Sequence, residues 1–202
     1  MSPQEALRLL DQRAAPGENW HLHSRQVGKV ALVLGRALVD AGHSVDVERL
    51  YVQGLLHDVG RSFNHGPLHG WTGYVYLRSL GAGEAGRGCL AHWLKGRDEA
   101  EMAATSRLSP AFVSRVYGEL QPAAWSIEDS VLSLADSCVR HTTIVTFDER
   151  HAELLQRYGD SRWLRRAGEL AQLQAEELAA ALRASVHEVL APLYGDALAA
   201  VA

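Results

Sequence analysis

Cysteine is scarce in this chain, which contains only Cys89 and Cys138. Two isolated cysteines are too few for a disulfide framework or a cysteine-rich zinc site, so the simplest expectation is a reducing, cytoplasmic location. Long apolar runs are also lacking, since no uncharged apolar stretch approaches about 18 residues. Asp11 and Arg13 stand where a signal peptide would need its apolar stretch. We therefore expect no membrane partner.

An excess of charge of one sign is missing as well. The 202 residues include 24 Asp+Glu and 20 Lys+Arg, which gives a formal net charge of -4. Such a balance lacks the positive field that attracts nucleic-acid polymers or anionic lipid surfaces. The chain is 47% hydrophobic, and its length suits one compact domain with a sizeable core. These features exclude a disordered protein, favour a globular one and argue against binding of a nucleic-acid polymer, while leaving room for a local basic pocket.

Strand signals are nearly absent, and the nearest candidate, residues 142–146, is short. Helix signals are frequent: capping-box patterns begin at Ser2, Ser126 and Thr146, and Asp46 precedes another apolar run. The stretch from Gly96 to Pro122 is expected to be the least regular and the most similar to a lid. Residues 160–190 predict one long helix or two. The fold class is therefore all-α.

The remaining helices are expected over 21–41, 67–80 and 84–95. The residues expected to end helices are Pro16-Gly17, Gly42, Gly60, Gly81, Gly96, Gln121-Pro122 and Gly159.

Polar residues on the predicted buried faces and helix ends carry the chemistry. The chain has ten histidines, eight of them between His21 and His141. One histidine on an apolar face is more often an ordinary core residue than a ligand, but here several imidazoles and carboxylates recur in order. Imidazole and carboxylate together suit a divalent first-row metal. The candidate metal ligands are His23, His57, Asp58, His69, His92 and Asp136.

The ordered set resembles the HD-domain superfamily of metal-dependent phosphohydrolases, named for an adjacent His-Asp pair. The segments that carry the resemblance, over about residues 20–150, are HSRQVGKVALVLGRAL, GLLHDVGR, LHGWTGYVYLRSLG, CLAHWLKG and VLSLADSCV. Two positions depart from the family pattern: Arg61 stands where many members have Lys, and His92-Trp93 where others have two histidines.

The resemblance implies a compact multi-helix bundle over residues 1–158, with its motifs at about 20–150. Residues 159–202 are then a C-terminal helical extension, packed on the bundle or used for self-association as a homodimer. It also implies that His23, His57, Asp58 and Asp136 form a minimal metal site. His69 and His92 would complete a site for two metals, bridged by Asp58. Iron or manganese is favoured, and cobalt, nickel or zinc would also suit these ligands.

The activity implied is hydrolysis of a small phosphorylated substrate, such as a nucleotide, by a water that the metals activate. Asp58 and Arg61 are the predicted catalytic residues, Arg61 by neutralising charge on phosphorus. Two alternatives stay open: a mixed-valent diiron oxygenase of the inositol oxygenase type, which has the same ligand order, and a regulatory module that binds metal without turnover. The candidate substrate contacts are Arg61, His65, Lys95, Arg97 and Arg140. His21, His43, His141, His151 and His187 are expected at the surface or at helix ends.

Overall fold

The chain folds into helices joined by short connections, which confirms the all-α class. The computed structural model describes residues 1–15, 18–120 and 123–199, so the predicted stops at Pro16-Gly17 and Gln121-Pro122 lie outside the described residues. The α-helices are α1 Pro3–Arg13, α2 Trp20–Asp40, α3 Val47–Leu56, α4 His69–Ser79, α5 Gly83–Leu94, α6 Glu99–Thr105, α7 Pro110–Glu119, α8 Ile127–Ser137, α9 Phe147–Tyr158, α10 Arg162–Leu182 and α11 Val186–Leu190. Short 3-10 turns cover Val59–Ser62 and Ala191–Leu193, and the strands are β1 Val139–Arg140 and β2 Thr143–Ile144.

The helix starts follow from capping. The Ser126 hydroxyl accepts the backbone N–H of Asp129, and the Asp129 carboxylate accepts the backbone N–H of Ser126 at 2.8 Å. The same reciprocal pair forms at Ser2 and at Thr146, and the Asp46 side chain caps α3. Each cap satisfies backbone donors that a helix start leaves free, which stabilises it by about 1 kcal/mol. The predicted starts are confirmed.

Helices α2 and α3 pack backbone against backbone. A Cβ atom built at Gly54 would lie 2.7 Å from the Cα of Gly28, so Gly54 has no room for a side chain, and a Cβ atom at Gly28 would crowd Leu55 and Tyr51 at 3.2 Å. This close crossing brings the beginning of α2, which carries His23, near the end of α3, which leads into His57 and Asp58. The packing therefore sets the distance between two of the predicted ligand segments.

Two apolar clusters form the core. One joins α1, α3, α4 and α5 and contains the fully buried Leu10, Leu55 and Leu90. The other joins α2 and α8 to the C-terminal helices and contains Leu34 and Leu178. Residues 160–190 form two helices, which separate at Arg183 with a positive φ of 55°. The C-terminal helices share the second cluster, while the boundary at residue 158 and self-association stay predictions.

Three local expectations are wrong. A two-stranded antiparallel hairpin forms, with Val139 opposite Ile144, and residues 195–198 run along β2 through hydrogen bonds and a bridge from Thr143 to Ala197. The spacing of Leu132, Asp136 and Val139 predicts one helix face, but Val139 belongs to β1, because α8 ends at Ser137. The stretch after Gly96 contains α6 and α7, because Asp98 and Ser109 cap them.

Among the described residues, no helix is both long and apolar enough to cross a membrane.

Candidate metal centre

The six predicted ligands come from five separate places in the fold and converge on one point. His23 lies on α2 and His69 begins α4, while His92 lies on α5 and Asp136 on α8. His57 and Asp58 follow α3 directly, because the helix ends at Leu56. His57, Asp58 and His92 are buried, with exposed fractions of 0%, 3% and 5%.

All four imidazoles present the same nitrogen to the centre. The Nδ1 atom of His57 lies 2.8 Å from the carbonyl oxygen of Gly54, and those of His69 and His92 lie 2.9 and 3.3 Å from the carbonyls of Gly66 and Gly88. The Nδ1 atom of His23 lies 3.0 Å from the carbonyl of His141, in the loop of the hairpin. A carbonyl oxygen can only accept, so each Nδ1 donates and each neutral ring keeps a lone pair on Nε2. This is the arrangement in which histidine binds metals.

The inward atoms form two neighbouring groups. In one, Asp136 Oδ1 lies 3.1 Å from His23 Nε2 and 3.7 Å from His57 Nε2. In the other, Asp58 Oδ1 lies 3.2 Å from His69 Nε2 and 3.4 Å from His92 Nε2, and the two Nε2 atoms are 3.1 Å apart. The sets His23–His57–Asp136 and His57–Asp58–His92 each offer ligand atoms close enough together to hold one ion. The described residues could thus bind a divalent metal.

Two buried polar atoms support this fit. His57 Nε2 and Asp58 Oδ1 are shielded from solvent and have no hydrogen-bond partner of acceptable geometry. Leaving such atoms unsatisfied costs about 1–3 kcal/mol each, so native proteins rarely do so. Both atoms point into the group of ligands described above, and a bound cation would satisfy them. The residues therefore fit a metal ion.

The protonation preferences of His92 and of the two carboxyl groups agree with ligand chemistry, whereas at His57 burial is outweighed by the charges of Asp58 and Asp136, which raise the pKa. Burial lowers the pKa of His92 to about 4, which keeps its ring neutral. Burial acts to raise the pKa of Asp58, but His57, His69, His92 and Arg61 together hold it well below the usual value. At Asp136 burial likewise acts to raise the pKa, but Lys95, His23 and His57 hold it well below the usual value. Both carboxyl groups are consequently ionised at neutral pH.

Two cations contact the carboxylates from the side of a large cavity. Arg61 Nε lies 2.6 Å from Asp58 Oδ2, and Lys95 Nζ lies 2.9 Å from Asp136 Oδ2. Lys95 reaches this position because it ends α5 in the left-handed conformation, with a φ of 54°. The cavity has a volume of about 650 Å³ and includes His23, Asp58, His69, His92 and Asp136 in its wall. The centre is therefore open to a ligand while its ligand atoms stay largely buried.

Some of the predicted substrate contacts lie at the cavity and others do not. Arg61 and Lys95 lie at the centre, and Arg97 lines the cavity but is buried, with its guanidinium 3.8 Å from the centroid of the Trp163 ring. His65 is not brought to the cavity: its ring is 57% exposed and lies 2.8 Å from Glu18 Oε1. Arg140 is exposed on β1 and also lies outside the cavity wall.

Several cavity residues were not singled out from the sequence, and His151, expected at the surface, also lines the cavity. They come from the α6–α7 connection, α9 and α10, and no local motif marks them as functional. The one sequence feature that points to this region is Gly168, because a lone glycine is unusual in a helix rich in Ala, Leu and Glu. The principal ones are Arg107, Arg150, His151, Trp163 and Leu164.

The HD-domain family model matches residues 21–140, which is more than half of the chain. The chain belongs to the HD-domain family. This HD-domain protein is also similar to an uncharacterized protein of Methanocaldococcus jannaschii, with 40% identity over 84 residues. That match covers 42% of this chain and 48% of the relative, so the HD-domain chain spans about half the length of the curated relative it matches. No solved structure matches it.

Proposed function

We propose that the protein is a metal-dependent phosphohydrolase that cleaves a phosphomonoester, phosphoanhydride or phosphodiester of a small molecule, with nucleotides as the preferred class. The supporting observation is the paired ligand geometry, in which four imidazole nitrogens and two carboxylates meet beside Arg61 and Lys95 at the wall of an open cavity. Membership of a family of metal-dependent hydrolases supports the same reaction class.

We assign both ligand groups to metal binding, with Asp58 between them. One oxygen of Asp58 faces His69 and His92, while its other oxygen lies 3.8 Å from His57 Nε2. Divalent metals bound by such a pair of groups activate a water molecule and stabilise the charge of a phosphate group during in-line displacement. The set of imidazole and carboxylate donors suits iron or manganese, and cobalt, nickel and zinc are the other candidates.

Arg61 and Lys95 have roles of their own in this proposal. The ion pair with Asp58 engages Nε of Arg61, and Nη2 lies 3.5 Å from His69 Nε2, which leaves Nη1 to donate to a phosphate oxygen. Charge that develops on that oxygen is then neutralised by a group already in place. Lys95 holds Asp136 and presents the same charge to the opposite side of the centre. The chain needs no serine or cysteine nucleophile for this reaction.

The experiment is anaerobic hydrolysis of a panel of nucleotides and other phosphoesters with Mn(II) or Fe(II) added. Wild type is compared with Asp58→Ala and with a matched control, Asp160→Ala, which removes a carboxylate that is exposed to solvent. We expect metal-dependent release of phosphate or of a nucleotide product, lost in Asp58→Ala and kept in Asp160→Ala. If metal-loaded wild type hydrolyses none of these compounds, the proposal is contradicted. Measurement of oxygen uptake would then test the diiron oxygenase alternative.

A further inference from the structure

The cavity continues beyond the metal centre, and the extension has a different character. Among the described residues of its wall, the only carboxylates are Asp58 and Asp136, both at the centre. The remaining wall combines basic side chains, such as Arg107 and Arg150, with apolar ones. An anionic ligand with an apolar body would match this surface, because the wall offers both basic side chains and apolar area.

We call the apolar part the outer chamber, and it is built by α9 and α10. Leu164, Ala167, Gly168 and Ala171 recur at helical spacing and line the chamber from α10, while His151 and Leu154 do so from α9. Both helices lie outside residues 21–140, which match the family. The outer chamber is therefore built by helices outside the matched region, whereas all six candidate ligands lie within it.

Gly168 allows the His151 ring to lie close against α10. A Cβ atom built at Gly168 would lie 2.5 Å from Nε2 and 2.6 Å from Cε1 of the His151 ring, closer than real atoms approach. Glycine inside a helix costs about 0.5–1 kcal/mol relative to alanine, so its presence here needs a reason. The close approach of His151 supplies one.

His151 is a polar group without a partner in this apolar wall. In the described parts of the chain, its imidazole makes no hydrogen bond or ion pair. A neutral imidazole offers one donor and one acceptor, which can match the edge of a heterocyclic ring. Trp163 supplies flat apolar surface nearby, since the residue is 36% exposed. Arg97 covers one face of its ring, 3.8 Å from the centroid, and fixes the residue by donating to its carbonyl at 3.0 Å.

We propose that the outer chamber binds the heterocyclic base of a nucleoside phosphate and that His151 is its specificity-determining residue. The inference rests on the proposed function, because the phosphate of the same molecule would occupy the metal centre. The base lies against Trp163 and Leu164 and exchanges a hydrogen bond with His151. Stacking on an aromatic ring contributes about 1–3 kcal/mol per base, and a matched hydrogen bond adds discrimination among bases.

The kinetic test compares the four common nucleoside 5′-monophosphates with ribose 5-phosphate, which has the phosphate and sugar but no base. For the best base, we expect kcat/KM of wild type to exceed that for ribose 5-phosphate by about tenfold or more. His151→Ala should lower this preference by about tenfold, while kcat/KM for ribose 5-phosphate changes by less than about twofold. Gly168→Ala should act in the same direction by displacing the ring. Gly118→Ala, where an added Cβ meets nothing within 4 Å, is the matched control and should keep the preference.

A binding measurement separates this inference from the hydrolase proposal. Isothermal titration calorimetry of the chelator-treated protein with the same compounds reports the contribution of the base without turnover. Tighter binding of a nucleoside monophosphate than of ribose 5-phosphate, lost in His151→Ala, would support the outer chamber even if no ester is hydrolysed. Equal affinities in wild type, or an equal loss for both ligands in His151→Ala, would overturn the inference even if hydrolysis is observed.

Discussion

The Nε2 atoms of His69 and His92 lie 3.1 Å apart, although each ring already donates through Nδ1 to a backbone carbonyl. In this tautomer a neutral ring keeps its lone pair on Nε2, and both Nε2 atoms lie next to the ionised oxygen of Asp58, at 3.2 and 3.4 Å, with Arg61 Nη2 3.5 Å from that of His69. Such an arrangement of three acceptors is unfavourable unless a cation lies among them. The geometry is therefore a stronger indication of metal binding than the types of residue alone.

Asp58→Ala is expected to remove most of the bound metal. Its Oδ1 atom lies within 3.4 Å of Nε2 of both His69 and His92, and alanine offers no replacement oxygen. Metal content measured by inductively coupled plasma mass spectrometry should fall well below that of wild type, whereas Asp160→Ala should retain it. Full metal content in folded Asp58→Ala would refute the assignment of Asp58 as the shared ligand.

Removal of metal by a chelator is expected to lower the melting temperature. A ligand that binds only the folded state stabilises it by about 2.7 kcal/mol at one hundred times its dissociation constant, which corresponds to roughly 5–10 °C for a domain of this size. Differential scanning fluorimetry with and without chelator measures the shift. Asp58→Ala should melt at the same temperature in both conditions, and an equal shift in that variant would mean that the chelator acts elsewhere.

Arg61→Ala is expected to lower kcat/KM for the phosphate substrate by about 10- to 100-fold, the value of one lost charge-assisted hydrogen bond. Arg61 contacts Asp58 through Nε but is not itself a metal ligand, so metal content should be unchanged. Arg61→Lys keeps the charge but not the planar fork and should restore only part of the rate. As a control, Arg36→Ala removes an exposed arginine from α2 and should behave as wild type. Unchanged kinetics in Arg61→Ala would show that Arg61 takes no part in the reaction.

Gly60→Ala is expected to destabilise the fold. A Cβ atom at this position would lie 1.9 Å from the carbonyl oxygen of His69 and 2.7 Å from the backbone nitrogen of Gly73. Both are backbone atoms of α4, so the helix carrying His69 must move, at a cost of about 1–3 kcal/mol. Urea unfolding measures this loss, and metal content should fall with it. Gly118→Ala should instead be neutral or stabilising by up to about 1 kcal/mol. Wild-type stability in Gly60→Ala would show that α4 can shift freely.

Local signals were sufficient for most helices and for the ligand positions. Caps such as Ser126 and Thr146 act within one turn, so the residues that form them are adjacent in the sequence. The six candidate ligands could be predicted because each lies at a helix end or on an apolar face, in an order that resembles a known family. Their convergence in the structure agrees with the family match over residues 21–140.

Contacts between segments that are distant in the sequence could not be predicted from such local signals. His151 and Trp163 lie on amphipathic helices whose pattern shows which face is apolar but not which part of the molecule covers it. The hairpin at residues 139–144 was missed because its strands are two residues long and are supported by residues 195–198. Conversely, His65 stands beside predicted ligands in the sequence, yet its loop turns the ring toward Glu18 and solvent.

The hairpin also governs when the centre can be completed during synthesis. His23 depends on the carbonyl of His141, and one helical turn later Gln26 donates to the carbonyls of Thr142 and Asp196. At translation rates of about 5–20 residues per second, His23 leaves the ribosome roughly 6–24 s before His141 follows. Throughout that interval Nδ1 of His23 has no hairpin carbonyl to fix its tautomer. A metal that binds Nε2 of His23 in this tautomer would therefore enter the centre only after the hairpin has been made.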